Sequence, residues 1–584
     1  DWESTAGGES AHIAVDPSDN DVVYGGSYDG FLTRVDHKTD QVRAINVWPD
    51  NPMGHGAEGF KYRFQWNFPI FFSPHNPKRL YTTSQHVHVS EDEGQSWKII
   101  SPDLTTNDST KLKSSGGPIT QDNTSVEYYC TIFAATESYH EEGVIWAGSD
   151  DGLLHVTRNG GESWDKVTPA GMPAWTMINS VEIDPFNKGG LYVAGTRYKL
   201  GDYQPYLFKT EDYGKSWTKI VNGIPADHFT RVLRADPVKK GLLYAGTETG
   251  MYVSFDDGAN WQPLQMNLPI VPITDLAIKD NNLIAATQGR SFWLIDDLTV
   301  LHQIADVKGK KHHLLKPMDT YRLGGSNGRT SRTAGTDHPG GILVHYFVQD
   351  TASSDTLRLE FFTKGGEIIT AYSTHPDKEA NESKLDVNKG LNVMNWDMRY
   401  DGAKTFPGMI LWWATTQGPQ AIPGEYQVKF TSPSGAQTQP FNLLKDPRSE
   451  ATDADYKSQF DFLIAVRDKL TETHEAIINI RKAKDQVNDV LKGTENEELK
   501  KYGKDMVNDM STIEKALYQT KNESGQDPLN FPIRLNNKLG HLASLSGIGD
   551  YPPTDQALAF YSEVTGLIDA ELAKLKAIFD ERIP

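Results

Sequence analysis

The feature that most constrains the fold of this chain is an eight-residue pattern that occurs four times in its first half. Each copy reads Ser or Thr, any residue, Asp or Asn, any residue, Gly, any residue, Ser or Asn, and Trp. The copies end at Trp97, Trp164, Trp217 and Trp261. Four copies in one frame indicate a structural unit that is used repeatedly.

Each fixed position of this pattern has a mechanical reason. An Asp or Asn side chain accepts hydrogen bonds from backbone amides that follow it, and a Gly two places later adopts the positive φ of a hairpin turn. The Trp then anchors the return strand in apolar packing. We therefore predict a structural role for Asp92, Gly94, Trp97, Asn159, Gly161, Trp164, Asp212, Gly214, Trp217, Asp256, Gly258 and Trp261.

Short apolar strands and turns alternate around each copy. The stretch "VEIDPFNKGGLYVAGT" (181–196) is typical, with an Asp-Pro turn between two strands. Four strands per repeat at regular spacing predict a β-propeller. Six units are found near residues 10–45, 68–100, 127–167, 178–220, 229–264 and 272–300. A seventh would come from 311–345 or from sequence that precedes Asp1.

These turns and repeats resemble the Asp-box (BNR) repeat proteins, which include sialidases, sortilin-like VPS10 propellers and xyloglucan hydrolases with two facing propellers. Stretches such as "YRFQWNFPI", "GPITQDNTSVEYY" and "TQGRSFWLIDDL" resemble a bacterial group of longer sortilin-like "BNR glycosyl hydrolase" proteins. The chain looks like the C-terminal portion of such a protein. The resemblance implies that the boxes are structural, and that the first 70 residues contact a missing N-terminal propeller or another chain.

Binding residues are predicted on the long loops of the face opposite the boxes, namely 46–68, 101–129 and 197–205. Long loops on a rigid scaffold commonly carry function. Aromatic, Arg, amide and carboxylate side chains are suited to grip sugars or peptides, although each also serves in ordinary packing. The candidates are Arg63, Trp66, Asn67, Glu127, Tyr128, Arg197, Tyr198, Lys199, Arg231 and Arg290. Arg290 is expected to enter the central channel.

The resemblance to the twin-propeller hydrolases implies one catalytic candidate. Asp29, in "GGSYDGFL", occupies the loop that carries a catalytic Asp in those enzymes. Cleavage of a glycosidic bond requires two carboxylates about 5–10 Å apart. Asp151, in "GSDDGLL", stands in the same frame, and a turn-forming role is the alternative for Asp29.

The second half has a different pattern. Residues 311–340 are predicted to be a connector, with Arg329 and Arg332 of the Gly-rich run 324–335 as candidates for contact with the propeller. Residues 341–447 predict an Ig-like β-sandwich, in which the apolar stretch 408–416 is expected to be buried. Residues 448–584 predict a helical bundle. The predicted fold class is therefore mainly β, with a six- to seven-bladed Asp-box propeller (1–310), a sandwich and helices.

Composition restricts the possible partners. A net charge of −20 argues against nucleic acid, and the apolar runs are too short to span a membrane. Cys130 is the single cysteine, so no internal disulfide forms, and no cofactor or metal is expected. We predict an exported bacterial protein, extracellular, on the cell surface or periplasmic, that binds a glycan or a polypeptide. The alternative is a glycoside hydrolase with the other half of its active site outside this chain.

Overall fold

The structure, a computed structural model, describes residues 4–10, 12–323, 338–350, 355–377 and 382–582. The Gly-rich run 324–335, with Arg329 and Arg332, lies outside these residues. The chain divides into two compact units, Asp1–Leu298 and Thr299–Pro584. No helix in the described ranges combines the length and apolar content of a membrane span.

Unit 1 contains six antiparallel sheets that follow one another along the chain, with each strand paired to the next. This succession of short meanders is the strand pattern of a β-propeller. Sheet 1 consists of β1 Ile13–Asp16, β2 Asp19–Gly26, β3 Leu32–Asp36 and β4 Gln41–Ala44; sheet 2 of β5 Ile70–Phe72, β6 Leu80–Thr83, β7 Val87–Ser90 and β8 Lys98–Ile99; and sheet 3 of β9 Ile132–Glu137, β10 Ile145–Ser149, β11 Leu154–Thr157 and β12 Asp165–Lys166.

The remaining sheets of unit 1 continue this order, but the last one has only three strands. Sheet 4 consists of β13 Met177–Ile183, β14 Leu191–Arg197, β15 Asp202–Thr210 and β16 Thr218–Lys219; sheet 5 of β17 Thr230–Ala235, β18 Leu243–Thr247, β19 Gly250–Ser254 and β20 Gln262–Pro263; and sheet 6 of β21 Ile273–Lys279, β22 Asn282–Thr287 and β23 Phe292–Ile295.

Consecutive sheets pack face to face through shared apolar cores. Trp146 and Val156 of sheet 3 pack with Val193 and Phe208 of sheet 4, for example. Because both faces of an inner sheet are covered, its strands are apolar on both sides, and Leu191 to Thr196 of β14 are all buried. The alternating burial expected of a half-exposed sheet is therefore absent from that strand.

The start of the first sheet lies near the last two sheets of unit 1. His12, directly before β1, lies within electrostatic range of Arg234 in sheet 5 and Asp275 in sheet 6. Desolvation lowers the pKa of His12. Asp275 opposes this shift and Arg234 reinforces it.

The repeated turn joins adjacent sheets as well as strands. In the third copy, Ser216 N donates to Asp212 Oδ1 at 2.9 Å, and Gly214 N donates to Thr210 Oγ1 at 3.0 Å. The Trp217 indole does not stay within its own sheet, because Nε1 donates to the carbonyl of Val167 at the end of sheet 3. The sequence interpretation, in which the Trp anchors its own return strand, missed this contact between sheets.

Unit 2 begins with α1 Thr299–Gln303 and continues with two sheets that enclose one apolar core. The smaller sheet has the order β24-β26-β30 and the larger one β25-β32-β31-β27-β28-β29. The strands are β24 His312–Leu314, β25 Thr320–Tyr321, β26 Ile342–Val348, β27 Arg358–Thr363, β28 Ile368–Ser373, β29 Ser383–Lys384, β30 Gly390–Trp396, β31 Gly424–Ser432 and β32 Gly435–Leu444. Four helices follow: α2 Asp453–Gly493, α3 Glu497–Leu517, α4 Leu535–Ser546 and α5 Asp555–Arg582.

The prediction of a mainly β chain with C-terminal helices is confirmed, whereas the Ig-like topology and the number of blades stay predictions. Residues 311–345 do not form a seventh blade, because β24 and β26 pair in unit 2. Part of the expected connector is thus built into the second unit. The stretch 408–416 is not a buried strand, since Trp413 is 82% exposed and its carbonyl accepts from His541 of α4.

Candidate functional site

Two long loops of unit 1 are fastened together by Arg63, which was predicted to bind ligand. Its Nε donates to the carbonyl of Cys130 at 2.9 Å, and its Nη2 pairs with Asp103 at 2.8 Å. The guanidinium is buried, so these internal contacts account for its position. Arg63 therefore holds the loops 46–68 and 101–129 in place and does not present itself to a ligand.

Tyr128 and Gln65 extend this internal network. The Tyr128 hydroxyl donates to the carbonyl of Phe64 at 2.6 Å, and Gln65 Nε2 donates to the carbonyl of Tyr128 at 3.0 Å. Burial raises the pKa of Tyr128, and the charges of Asp29 and Asp150 add to that shift. Tyr128 consequently lies close to both carboxylates, which brings the predicted Asp29 into the same part of the molecule.

Asp29 borders an open cavity of about 560 Å³, a volume suited to a small ligand. Asp29 stands in the turn between β2 and β3 with φ 61°, a left-handed conformation, and its Oδ1 is buried without a hydrogen-bond partner among the described residues. The cavity is lined by Gly8, Glu9, Ser27, Tyr28, Asp29, Phe31, Asn46, Asp50, Asn51 and Met53. It thus combines two partly exposed aromatic rings, three carboxylates and two amides.

Asp151, which shares the sequence frame of Asp29, has a different environment. Its Oδ2 accepts from the backbone N–H of Thr106 at 2.8 Å, and from the hydroxyl of the same residue at 2.7 Å. Its Oδ1 accepts from Ser149 Oγ, and the side chain is buried. Since all these contacts are internal, Asp151 is a loop-fastening residue, and the two aspartates are distinguished by their contacts.

The other predicted residues lie in several separate places. Trp66 is half-buried and meets the ring of Tyr28 edge-on at 5.3 Å, so it supports the Asp29 cavity from behind. Glu127 and Asn67 are exposed, and Glu127 accepts from Thr124 at 3.1 Å. Arg290 is also exposed and donates to the carbonyl of Gly289 at 2.8 Å. Its expected entry into a central channel stays a prediction.

A second group of predicted residues gathers where sheets 4 and 5 meet. Tyr198 stacks on Phe229 at 5.2 Å, and the Arg231 guanidinium lies over the Tyr198 ring at 5.5 Å. Arg231 also pairs with Glu248 at 2.6 Å, and Arg197 pairs with Asp202 at the same distance. Lys199 is exposed at the rim. The cations here are already paired, and the small cavity beside Tyr198 measures about 10 Å³.

Sequence reasoning missed most of the residues around Asp29. Tyr28 and Phe31 flank Asp29 in the turn "YDGF", and two aromatic residues beside an acid in an exposed turn were a usable signal. Asn46, Asp50 and Asn51 lie on the predicted loop 46–68 but were not singled out. Glu9 gave no signal, because only the fold brings residues 8 and 9 next to the β2–β3 turn.

Comparison with known proteins finds distant likenesses. No family model matches the chain. An oligoxyloglucan-reducing end-specific xyloglucanase of Emericella nidulans is 24% identical over 111 residues, which are 19% of this chain and 14% of that protein. The chain therefore spans only a small part of this curated relative.

The similarity to solved structures is also distant. A GH74 xyloglucanase from Xanthomonas campestris is 16% identical, with a TM-score of 0.36, over 57% of this chain and 50% of its own. An ancestral GH74 enzyme is 14% identical, with a TM-score of 0.34, over 77% and 47%. YCF48 bound to D1 peptide is 13% identical, with a TM-score of 0.34, over 59% and 91%. These neighbours are β-propeller proteins, but scores this low establish no shared fold.

Proposed function

We propose that unit 1 is an Asp-box β-propeller of an exported protein, and that it binds a glycan in the cavity beside Asp29. The observation that carries this proposal is the lining of the cavity. Tyr28 and Phe31 offer ring faces on which a sugar stacks, and Glu9, Asp29 and Asp50 offer carboxylates that accept from sugar hydroxyls. The local match to a xyloglucanase supports a β-glucan with side branches as the first ligand to test.

A polypeptide ligand, as in the sortilin-like reading, has weaker support. Such a ligand would suit the Arg and Tyr group at the junction of sheets 4 and 5. There Arg197 and Arg231 are already neutralised by Asp202 and Glu248. We therefore place the glycan first.

The glycan proposal is tested by binding of xyloglucan oligosaccharides to the whole chain and to Asp29→Asn. Asn tolerates the left-handed backbone of this position, so the variant removes charge and leaves the turn intact. We expect a loss of affinity of about 10- to 100-fold, the effect of losing hydrogen bonds to a charged group. Isothermal titration calorimetry measures it.

Two further variants make this test specific. Tyr28→Ala should weaken binding about 10-fold, because it removes a stacking face. Lys199→Ala, an exposed change at the other residue group, serves as the control and should bind as the unmodified chain does. Equal affinity of Asp29→Asn and the unmodified chain would contradict the proposal.

A glycoside hydrolase is the second candidate function, and one observation favours it. Glu9, Asp29 and Asp50 share one cavity, and Asp29 keeps a buried Oδ1 that none of the described residues satisfies. Two carboxylates on either side of a glycosidic bond are the requirement for its hydrolysis. Release of reducing ends from xyloglucan would reveal this activity, and Asp29→Asn should lower its rate by about 10²- to 10⁴-fold. An unmodified chain that binds but releases no reducing ends excludes a hydrolase whose two carboxylates both lie in this cavity.

A further inference from the structure

Four junctions between consecutive sheets of unit 1 are filled in the same way. In each, the Trp of the repeated turn donates its Nε1–H to the carbonyl of the residue that follows the last strand of the preceding sheet. Trp97 donates to Ile45, Trp164 to Ile100, Trp217 to Val167 and Trp261 to Ile220, all at 2.8–2.9 Å. An indole thus closes every junction from sheet 1 to sheet 5.

The junction between sheets 5 and 6 is built alike, but among the described residues no indole occupies the place that the Trp of the repeated turn takes elsewhere. Leu264 N donates to the carbonyl of Met251, as Ile220 N donates to that of Leu207 one junction earlier, so Leu264 occupies the acceptor position. Leu283 and Ala285 of β22 take the places that Leu243 and Ala245 of β18 hold beside Trp261. Among the described residues, no group donates to the carbonyl of Leu264.

The sequence after β23 explains why the turn Trp is missing at this junction. Ile295 stands where the repeated turn has its Ser or Thr, and Thr299 stands where it has its Gly. The chain turns into α1 at Thr299, and its next Trp after Trp293 is Trp396. No fourth strand of sheet 6 follows among the described residues, so β23 stays at the edge of this sheet.

A cavity of about 260 Å³ lies at this junction. Its walls are mainly apolar and come from both sheets: Met251, Leu264, Gln265, Met266, Asn267, Leu268, Leu283, Ala285, Trp293, Leu294, Ile295 and Asp296. Aromatic side chains in such apolar pockets, with one polar atom paired, are the usual anchors of binding segments. The cavity therefore has both the apolar walls and the acceptor that hold an indole elsewhere in unit 1.

We propose that this cavity is a docking site for a tryptophan side chain of a partner polypeptide. The partner's indole N–H donates to the carbonyl of Leu264, and the residues after its Trp extend along β23. In the filled sheets the two residues after the Trp form the fourth strand, as Gln262 and Pro263 pair with Val253 and Tyr252. The equivalent partners in sheet 6 are Leu294 and Trp293, so an extended segment suits this edge better than a free small molecule.

The chain itself supplies the probe. A capped peptide with the sequence of residues 215–221, Lys-Ser-Trp-Thr-Lys-Ile-Val, carries the Trp and fourth strand of sheet 4. Fluorescence polarisation of the labelled peptide with the whole chain measures binding. We expect about 30-fold weaker binding when its Trp is replaced by Ala. We expect about fivefold weaker binding with 1-methyltryptophan, which keeps the ring but lacks the N–H donor.

Variants of the chain locate the site. Ala285→Leu fills the cavity from β22 and should abolish binding, and Met266→Ser changes an exposed rim residue without touching the core and should weaken it. Val490→Ser, an exposed apolar position in α2, is the matched control and should bind as the unmodified chain does. Unchanged binding in both cavity variants would overturn the proposal, as would equal affinity for the Trp and Ala peptides. Self-association of the chain that Ala285→Leu abolishes would assign the site to a second copy and would equally overturn it.

Discussion

Asp150 is the clearest case in which burial changes the chemistry of a single residue. Burial raises its pKa to about 7, and hydrogen bonds from Thr131 N and Thr131 Oγ1 oppose the shift. A carboxyl group that is protonated below neutral pH in the folded chain is ionised from about pH 4 upward in the unfolded chain. The fold therefore loses stability as the pH rises from about 4 to 7.

The change Asp150→Asn should flatten this dependence. Because the raised pKa belongs to an acid, the destabilisation of the fold is absent below the unfolded pKa of 3.8 and fully present above the folded pKa of about 7. Between about pH 4 and pH 7, the free energy of unfolding of the unmodified chain should fall by up to about 4 kcal/mol more than that of the variant. Urea unfolding of unit 1, followed by tryptophan fluorescence, measures it. Asp165→Asn, an exposed change in sheet 3, controls for the loss of a charge.

In the repeated turn, two neighbouring positions require glycine to different degrees. In the second copy, Gly160 and Gly161 both have positive φ. A Cβ on Gly160 would meet open space, whereas one on Gly161 would lie 2.3 Å from the carbonyl oxygen of Ile100 in the preceding sheet. The first position is occupied by Glu93, Tyr213 and Asp257 in the other copies, each also with positive φ.

A pair of substitutions in this turn separates the two reasons for glycine. Gly160→Ala should cost about 1 kcal/mol, the conformational penalty alone. Gly161→Ala adds a clash with the backbone of sheet 2 and should cost roughly 2–4 kcal/mol. Thermal unfolding of both variants measures the difference. Equal costs would show that the close approach of the two sheets is not needed for stability.

The elements were predictable from the sequence to different degrees. The six strand groups near 10–45 through 272–300 match the observed sheets, because the repeated turn marks the last hairpin of four of them and the same alternation of strands and turns marks the other two. The indole contacts were not predictable, since Trp217 and Val167 are 50 residues apart and only the packing of sheets brings them together. The stretch 408–416 was misjudged for a similar reason, because apolar composition does not reveal that the carbonyl of Trp413 would meet His541 of a later helix.

The candidate site was predictable only in part. Asp29 was found through a resemblance. The fold adds why it differs from Asp151, whose Oδ2 accepts from Thr106 of a neighbouring loop and whose Oδ1 accepts from Ser149 of its own turn. Arg63 had the right chemistry for a ligand contact, but its partners Asp103 and Cys130 lie 40 and 67 residues away. A long-range internal contact of this kind leaves no local trace in the sequence.

Considered as a whole, unit 1 carries apolar side chains on the outer face of its first sheet. Val42 is 65% exposed beside Val35. Residues 4–10 cover only part of the first face, where Ala6 packs on Val23 and Val35. Exposed apolar faces of sheets favour association, and contact between the first 70 residues and another chain stays a prediction.

This association should depend on salt. The chain carries a net charge of −20, so copies repel one another at low ionic strength, and about 0.1 M salt screens charges beyond roughly 10 Å. We expect sedimentation equilibrium to show association that increases with salt and decreases in Val42→Glu. Gln95→Glu, which adds the same single negative charge on an exposed residue of a repeated turn, is the control. A chain that stays monomeric at high salt would show that this face does not mediate self-contact.

The direction of the indole contacts has a consequence for biosynthesis. In all four junctions the accepting carbonyl precedes the donating Trp, by 41 to 64 residues. A growing polypeptide emerges from the ribosome N-terminus first. When the Trp of each new sheet emerges, its acceptor is therefore already outside the ribosome, and the sheets can be joined in order from the N-terminus before synthesis of the chain is complete.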